Sequence, residues 1–265
     1  MKIIKGLITV FISFFIAGAS NALTAYEIMK KVDERDTGKT QISKATMVLI
    51  DKKDRKRVRK LQLFSKDFEN VDKSISFFTS PSDVKDTAFL SYDWEDDKRE
   101  DDSWLYLPSM QRVNRIASSD KSNSWMGSDF TFSDVEGTEL NDYNYELLAE
   151  SDPVGGHDCW KIQSLPKSKD VIEKTGYLKS VFWVRKDALL IVRNIINVKK
   201  GKRIKYFSAK DIENINGIWT ARTIQMVTTK NKKVQHSSVF KLDEVSYNKD
   251  LKDTMFEVET MQRGL

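Results

Sequence analysis

From Ser43 onward, apolar and polar residues alternate with a period of two, the pattern of strands that bury one face. In SKATMVLID, Ala45, Met47 and Leu49 share a side. In RVRKLQLFS, Leu61 and Leu63 do so, with Arg57 and Arg59 farther along. SISFFT aligns Ile75 with Phe77, TAFLSYDW aligns Ala88, Leu90 and Tyr92, and SWLYLP aligns Trp104 with Tyr106. Charged turns, DKKDRK and DWEDDKREDD, separate these runs. A second set begins at YNYELLAES and continues through DCWKIQSLP, LKSVFWVRKDALLIVRNIINVKKGKRIKYFSAKDI, IWTARTIQMVTT and KVQHSSVFKLDEVSY. Gly155-Gly156, Lys186-Asp187, Lys200-Gly201 and Asn216-Gly217 mark the turns. About ten antiparallel strands with few helices predict a mainly β fold: a strongly curved sheet, a half or incomplete barrel. Its apolar concave face requires a cover.

Two segments can supply that cover. Residues 23–35 have helical spacing, with Ile28, Met29 and Val32 inward; Thr24 as N-cap and Glu27 three residues on form a capping box. Residues 116–139 break the strand pattern with Ser, Asn, Gly and Asp around Trp125, Met126, Phe130 and Phe132. This reads as a lid-like insertion with some helix; a loop of that length is functional or partly disordered. The tail NKDLKDTMFEVE offers Leu251 and Phe256 as anchors for a short closing helix.

The start of the chain has a different character. Lys2 and Lys5 precede an apolar run from Gly6 to Ala19 that is too short for a bilayer span, followed by Ser20-Asn21-Ala22. This predicts a cleaved signal peptide over 1–22 and an exported protein, with residues 23–265 forming a single domain of about 243 residues. With no cysteine near the cleavage point, a lipid-anchored lipoprotein is not expected. Without Lys2 and Lys5 the net charge falls from +5 to about +3, and the basic residues are interleaved with acids. Export and that interleaving argue against a nucleic-acid partner and for transient attraction to anionic lipid surfaces.

Candidate chemistry is sparse. Cys159 is the single cysteine, so no internal disulfide forms, and a buried inert thiol is expected. His157 and His236 lack metal-ligand spacing, and no metal or cofactor is expected. Gly127-Ser128-Asp129 is not a nucleophile elbow, and Asp129 reads as a cap or turn residue. The paired carboxylates lie in charged turns, with no apolar setting to raise a pKa. These features predict a non-catalytic protein. Arg112 and Arg115 read either as phosphate-binding groups or as members of a loop salt-bridged to Asp120, Asp129 or Asp134. Trp104 and Tyr106 read either as a ligand platform or as core.

In order and spacing, AYEIMKKVDER (25–35), PSDVKDTAFLSYD (81–93), WLYLPSMQRVNRI (104–116), MGSDFTFSDVEG (126–137), VFWVRKDALLIVR (181–193) and LKDTMFEVE resemble the LolA-like family, the extended outer-membrane lipoprotein-sorting group. The resemblance implies a LolA/LolB-like half-barrel with helices lidding its concave face and acyl chains held between them, in the periplasm of a Gram-negative envelope. Each methylene withdrawn from water contributes roughly 0.8 kcal/mol, so a palmitoyl-length chain, worth on the order of 12 kcal/mol, needs a carrier to cross an aqueous compartment. On this basis Met47, Leu49, Leu61, Leu63, Phe77, Leu90, Trp104 and Tyr106 are expected to line the slot. Arg112, Arg115, Trp125, Met126, Asp129 and Phe130 are expected at the lid, rim or headgroup. The resemblance further implies lipid or lipoprotein acyl chains as cargo for a monomeric carrier and an RND-type inner-membrane transporter as a partner. A filled scaffold that docks on such a transporter without cargo is the alternative, in which Phe77, Trp104 and Tyr106 would plug the gap.

Overall fold

The computed structural model describes residues 22–96 and 99–265; the expected leader lies outside them apart from Ala22. The first run of alternation forms β1 (Thr40–Asp51), β2 (Lys56–Phe68), β3 (Val71–Ser80), β4 (Ala88–Trp94), β5 (Asp102–Leu107) and β6 (Arg112–Arg115). The second forms β7 (Tyr143–Ala149), β8 (Cys159–Pro166), β9 (Tyr177–Arg185), β10 (Leu190–Val198), β11 (Arg203–Ile215), β12 (Ile218–Lys230) and β13 (Lys233–Tyr247). All thirteen belong to one antiparallel sheet, ordered β6-β5-β4-β3-β2-β1-β13-β12-β11-β10-β9-β8-β7.

The chain thus begins in the middle of the sheet, walks outward to the β6 edge, crosses to the β7 edge, and walks back until β13 pairs with β1. The two edges do not pair, so the sheet is not closed into a barrel. The crossing segment is the predicted insertion. It contains short 3-10 turns at Ser118–Asp120 and Trp125–Gly127 and a helix α2 (Phe132–Glu136).

Register fixes which residues share a face. Leu61 opposes Phe78, Ser76 opposes Phe89, and Phe89 opposes Leu105, so these form the inner face of β2 to β5. In the other half, Lys205 opposes Thr228, Thr228 opposes His236, and His236 opposes Asp51, which carries the inner face across β11, β12, β13 and β1.

Three helical segments cover the sheet. Helix α1 (Ala25–Asp33) starts with the predicted capping box: the Glu27 N–H donates to Thr24 Oγ1 at 3.2 Å and the Thr24 N–H donates to Glu27 Oε2 at 2.7 Å. Its Ile28 is fully buried against Ile162, Phe182 and Val184 on the inner face of β8 and β9. The insertion covers the remainder of the inner face. The tail, a 3-10 turn at Asp253–Phe256 and α4 (Val258–Arg263), packs on the outer face of β2 to β6, with Phe256 and Met261 against Phe64, Ile75 and Phe77. Helix α3 (Lys169–Thr175) joins β8 to β9; Ser168 caps its start and Gly176, at φ 76°, ends it. Lys174 on α3 pairs with Asp101 at the foot of β5, at 3.3 Å, across the gap between the two edges.

Candidate functional site

Between the concave face and the insertion lies a cavity of about 480 Å³, within the range of roughly 300–1,000 Å³ common for small-molecule sites. β2 to β4 contribute Leu63, Ser76 and Phe89; β10 to β13 contribute Ile196, Phe207, Ile224, Met226 and Phe240. Trp125, Phe130 and Val135 of the insertion form the roof. Ser76 Oγ, Trp125 Nε1 and Asn194 Oδ1 are buried among the cavity-lining residues without a hydrogen-bond partner among the described residues. Unpartnered polar atoms of this kind are rare in native interiors and mark places where a ligand or water supplies the missing bond.

The roof is pinned to the sheet by polar contacts. The chain turns sharply at Met126 (φ 50°) and Gly127 (φ 70°), and the Arg59 guanidinium donates to the Met126 carbonyl. The turn delivers the carboxylate of Asp129, only 6% exposed, to β12 and β13. There it accepts from Thr228 Oγ1 at 2.5 Å, from Ser238 Oγ at 2.7 Å and from His236 Nδ1 at 2.6 Å. The Asp129 N–H donates in turn to Ser238 Oγ at 2.9 Å. Two residues on, Thr131 forms a capping box with Asp134 at the start of α2. The Asp134 carboxylate also accepts from the Tyr177 hydroxyl at 2.6 Å, and that hydroxyl accepts from Lys205 Nζ at 2.8 Å. Lys121 and Glu136, each 1% exposed, form an ion pair at 2.8 Å inside the insertion itself.

The structure divides the expected slot residues between two faces. Met47, Leu49, Leu61 and Leu63 lie on the inner face beneath Trp125 and Phe132, and Leu63 borders the cavity. Phe77, Leu90, Trp104 and Tyr106 do not line it. They lie on the outer face, under Phe256 and Met261. Their neighbours Phe78, Phe89 and Leu105 lie on the inner face instead, and of these Phe89 borders the cavity. Trp125 and Phe130 form the roof and Met126 packs at its margin. Arg115 pairs with Asp102 at 2.5 Å, not with Asp120, Asp129 or Asp134. Arg112 is exposed on the β6 edge. The contribution of β10 to β13 is carried by the same alternation, in Ile224 and Met226 for example, and adds cavity residues beyond those expected from β1 to β5.

A family model described as an "-like" group of "Uncharacterized protein" matches residues 70–263, well over half of the chain. A putative outer membrane lipoprotein-sorting protein domain from Vibrio parahaemolyticus superposes with a TM-score of 0.80 and 27% identity, over 90% of this chain and 98% of that one. The chain belongs to the LolA-like family. A DUF1329 family protein from Desulfovibrio piger also superposes with a TM-score of 0.80, at 29% identity, over 89% of this chain and 97% of that one. A LolA superfamily protein from Nitrosomonas europaea shares the fold with a TM-score of 0.66 at 20% identity, over 90% and 99% of the two chains. No curated protein matches the sequence.

Other chemistry-bearing groups of this LolA-like chain are held in structural roles. The Cys159 thiol is fully buried and donates to the His157 carbonyl; burial pushes its pKa up. Ser128 Oγ donates to the Trp125 carbonyl at 2.7 Å, closing the turn. The carboxylates depart from expectation. Asp93, Asp101 and Glu139 bring oxygens within 4.8 Å of one another. Burial first, then the charges of Asp101 and Glu139, push the Asp93 carboxyl up to about 8. The burial not visible in an acidic turn comes from the end of the insertion, where Gly137 and Glu139 lie against Asp93.

Proposed function

We propose that this protein is a non-catalytic periplasmic carrier that holds acyl chains of lipids or lipoproteins in the concave-face cavity and moves them towards the outer membrane. The observation that carries the reading is the cavity itself: about 480 Å³, walled by aliphatic and aromatic side chains, under a segment held by polar contacts that can break and re-form. In the scaffold alternative Phe77, Trp104 and Tyr106 plug the gap. Their position on the outer face leaves the gap available, which favours the carrier. Ser76 and Trp125 would then donate to a polar atom of the cargo.

The test is lipid extraction and mass spectrometry of protein purified from its own envelope, together with transfer of labelled acyl lipid between vesicles. Bound lipid and transfer that Ile224→Asp or Met226→Asp abolishes, while the protein stays folded, are expected. Transfer unaffected by these charges in the cavity would overturn the reading.

A further inference from the structure

The inner groove does not end at the roof. Along β10 to β13 its lining changes from apolar to polar within one step of the inward-facing register. On β12, Met226 faces the acyl cavity and Thr228 a second compartment; on β11, Phe207 faces the first and Lys205 with Arg203 the second. On β13, Phe240 gives way to Ser238 and then His236. Two residues along a strand rise about 7 Å, so the compartments adjoin. The second has a volume of about 330 Å³, and Ser122, Ser124, Thr131, Thr175, His236 and Asp129 line it beside Arg203 and Lys205; the Asp129 carboxylate there is engaged by Thr228, Ser238 and His236. Asp129 lines the polar compartment and Asp134 the apolar one, so the segment that carries both borders the two.

This polar compartment opens at the end of the sheet where three neighbouring hairpins meet. Their tips read KKDRKR (52–57), KKGKR (199–203) and KNKK (230–233), and every cation named there is exposed. Asp51 is engaged by Arg55 at 2.6 Å and Lys199 by Glu173. Among the described residues, no ion pair or hydrogen bond within contact distance occupies the side chains of Lys202, Arg203, Lys230, Lys232 or Lys233, and Lys200 interacts with Glu173 only at longer range. With strands about 4.8 Å apart, the tips stand roughly 10 Å from one another, about one Debye length in physiological salt, so their fields overlap. The mild net charge of the chain conceals this concentration.

We infer that the two compartments form one amphipathic binding groove whose cargo is an acyl lipid with a phosphate-bearing headgroup, the tail under the roof and the phosphate in the hydroxyl-lined compartment beside Arg203 and the basic hairpins. The inference rests on the carrier reading and names its substrate class. Arginine and lysine are the usual phosphate partners, and each cation near an anionic lipid contributes about fivefold in binding.

The experiment uses the mature protein and a fluorescent fatty acid that brightens in the acyl cavity. The fatty acid is displaced by lysophosphatidylglycerol or by a monoacylglycerol of the same chain length. The anionic lipid is expected to displace it at a concentration at least about tenfold lower. In the variant Lys202→Glu/Arg203→Glu, at exposed positions, the advantage is expected to vanish while monoacylglycerol displacement and the melting temperature stay unchanged. Equal displacement by the two lipids in the native protein overturns the headgroup assignment and leaves the carrier reading intact. Failure of the fatty acid to bind overturns both. Inorganic phosphate at matched ionic strength that cancels the preference only at large excess supports a lipid-borne phosphate. Binding of phosphate alone as tightly as the lipid overturns it in favour of a free-phosphate site.

Discussion

Asp129 connects local turn chemistry to the placement of the roof. Its carboxylate accepts hydrogen bonds from three side chains on two strands more than ninety residues away. Removing it strands those donors in a buried place, and each buried unpaired group costs about 1–3 kcal/mol. Asp129→Ala should therefore destabilise the protein by about 3 kcal/mol in urea unfolding, whereas Ser128→Ala, which loses bonds only within its own turn, should cost about 1 kcal/mol. Equal effects would remove Asp129 as the anchor. Asp93 gives a pH signature. Its folded pKa, about 8, lies above the ordinary 3.8, so between these values the folded state holds a proton that the unfolded chain has released. Stability then declines as pH rises from about 4 to about 8 and is unaffected by this group below that window. Asp93→Asn should flatten this part of the profile and gain on the order of 2 kcal/mol at pH 8, read as denaturation midpoints across the range. A variant that declines as steeply as the native protein would show that Asp93 is not the responsible group.

At the scale of elements, the alternation that predicts each strand does not by itself say which of its two faces is inward. On β2, Leu61 and Leu63 alternate with Lys60 and Gln62, and the inner face was legible. On β4, Ala88, Phe89, Leu90 and Ser91 are all buried, and on β3 both Phe77 and Phe78 are. A strand covered on both sides carries no polar face to orient it. The outer cover is the tail, whose Phe256 was legible as an anchor although the face it would reach was not. Helix α3 carries an N-cap, Ser168, and a terminal Gly176, but its seven residues are too few to show a helical period. The Asp129 contacts were not legible, since their partners are remote in sequence and no local pattern joins them. The tail should be as important to stability as any strand. Phe256 is fully buried, edge-on to Phe68 with ring centroids 5.8 Å apart, and Phe256→Ala should cost about 3–5 kcal/mol. Truncation after Lys249 should expose the outer aromatic face and raise binding of a hydrophobic dye. A truncated protein with native stability and no added dye binding would show that the tail is not a structural cover.

For the molecule as a whole, the two ends of the strand order matter less than its middle. β1 and β13 join residues some two hundred apart along eleven paired positions, and each is flanked by a further long strand. Such a seam forms late, because loop closure precedes the contacts that reward it, and once formed it opens only with the whole sheet. The insertion is attached differently. Its segment Gly127–Thr131 is held by the Asp129 cluster, the Arg59 contact and the apolar roof, and none of these belongs to the strand ladder. On the proposed carrier function, its opening to admit an acyl chain would leave the pairing of β1 and β13 undisturbed. The expected result in native-state amide exchange is a lower opening free energy for residues 127–131 than for Met47, Leu49 and Phe240, with the gap narrowed when lipid is bound, since a ligand that binds the closed form shifts the population towards it. If the roof exchanged only by global unfolding, in step with the seam, the cavity would be sealed on any functional timescale. The fold would then be a scaffold and not a carrier.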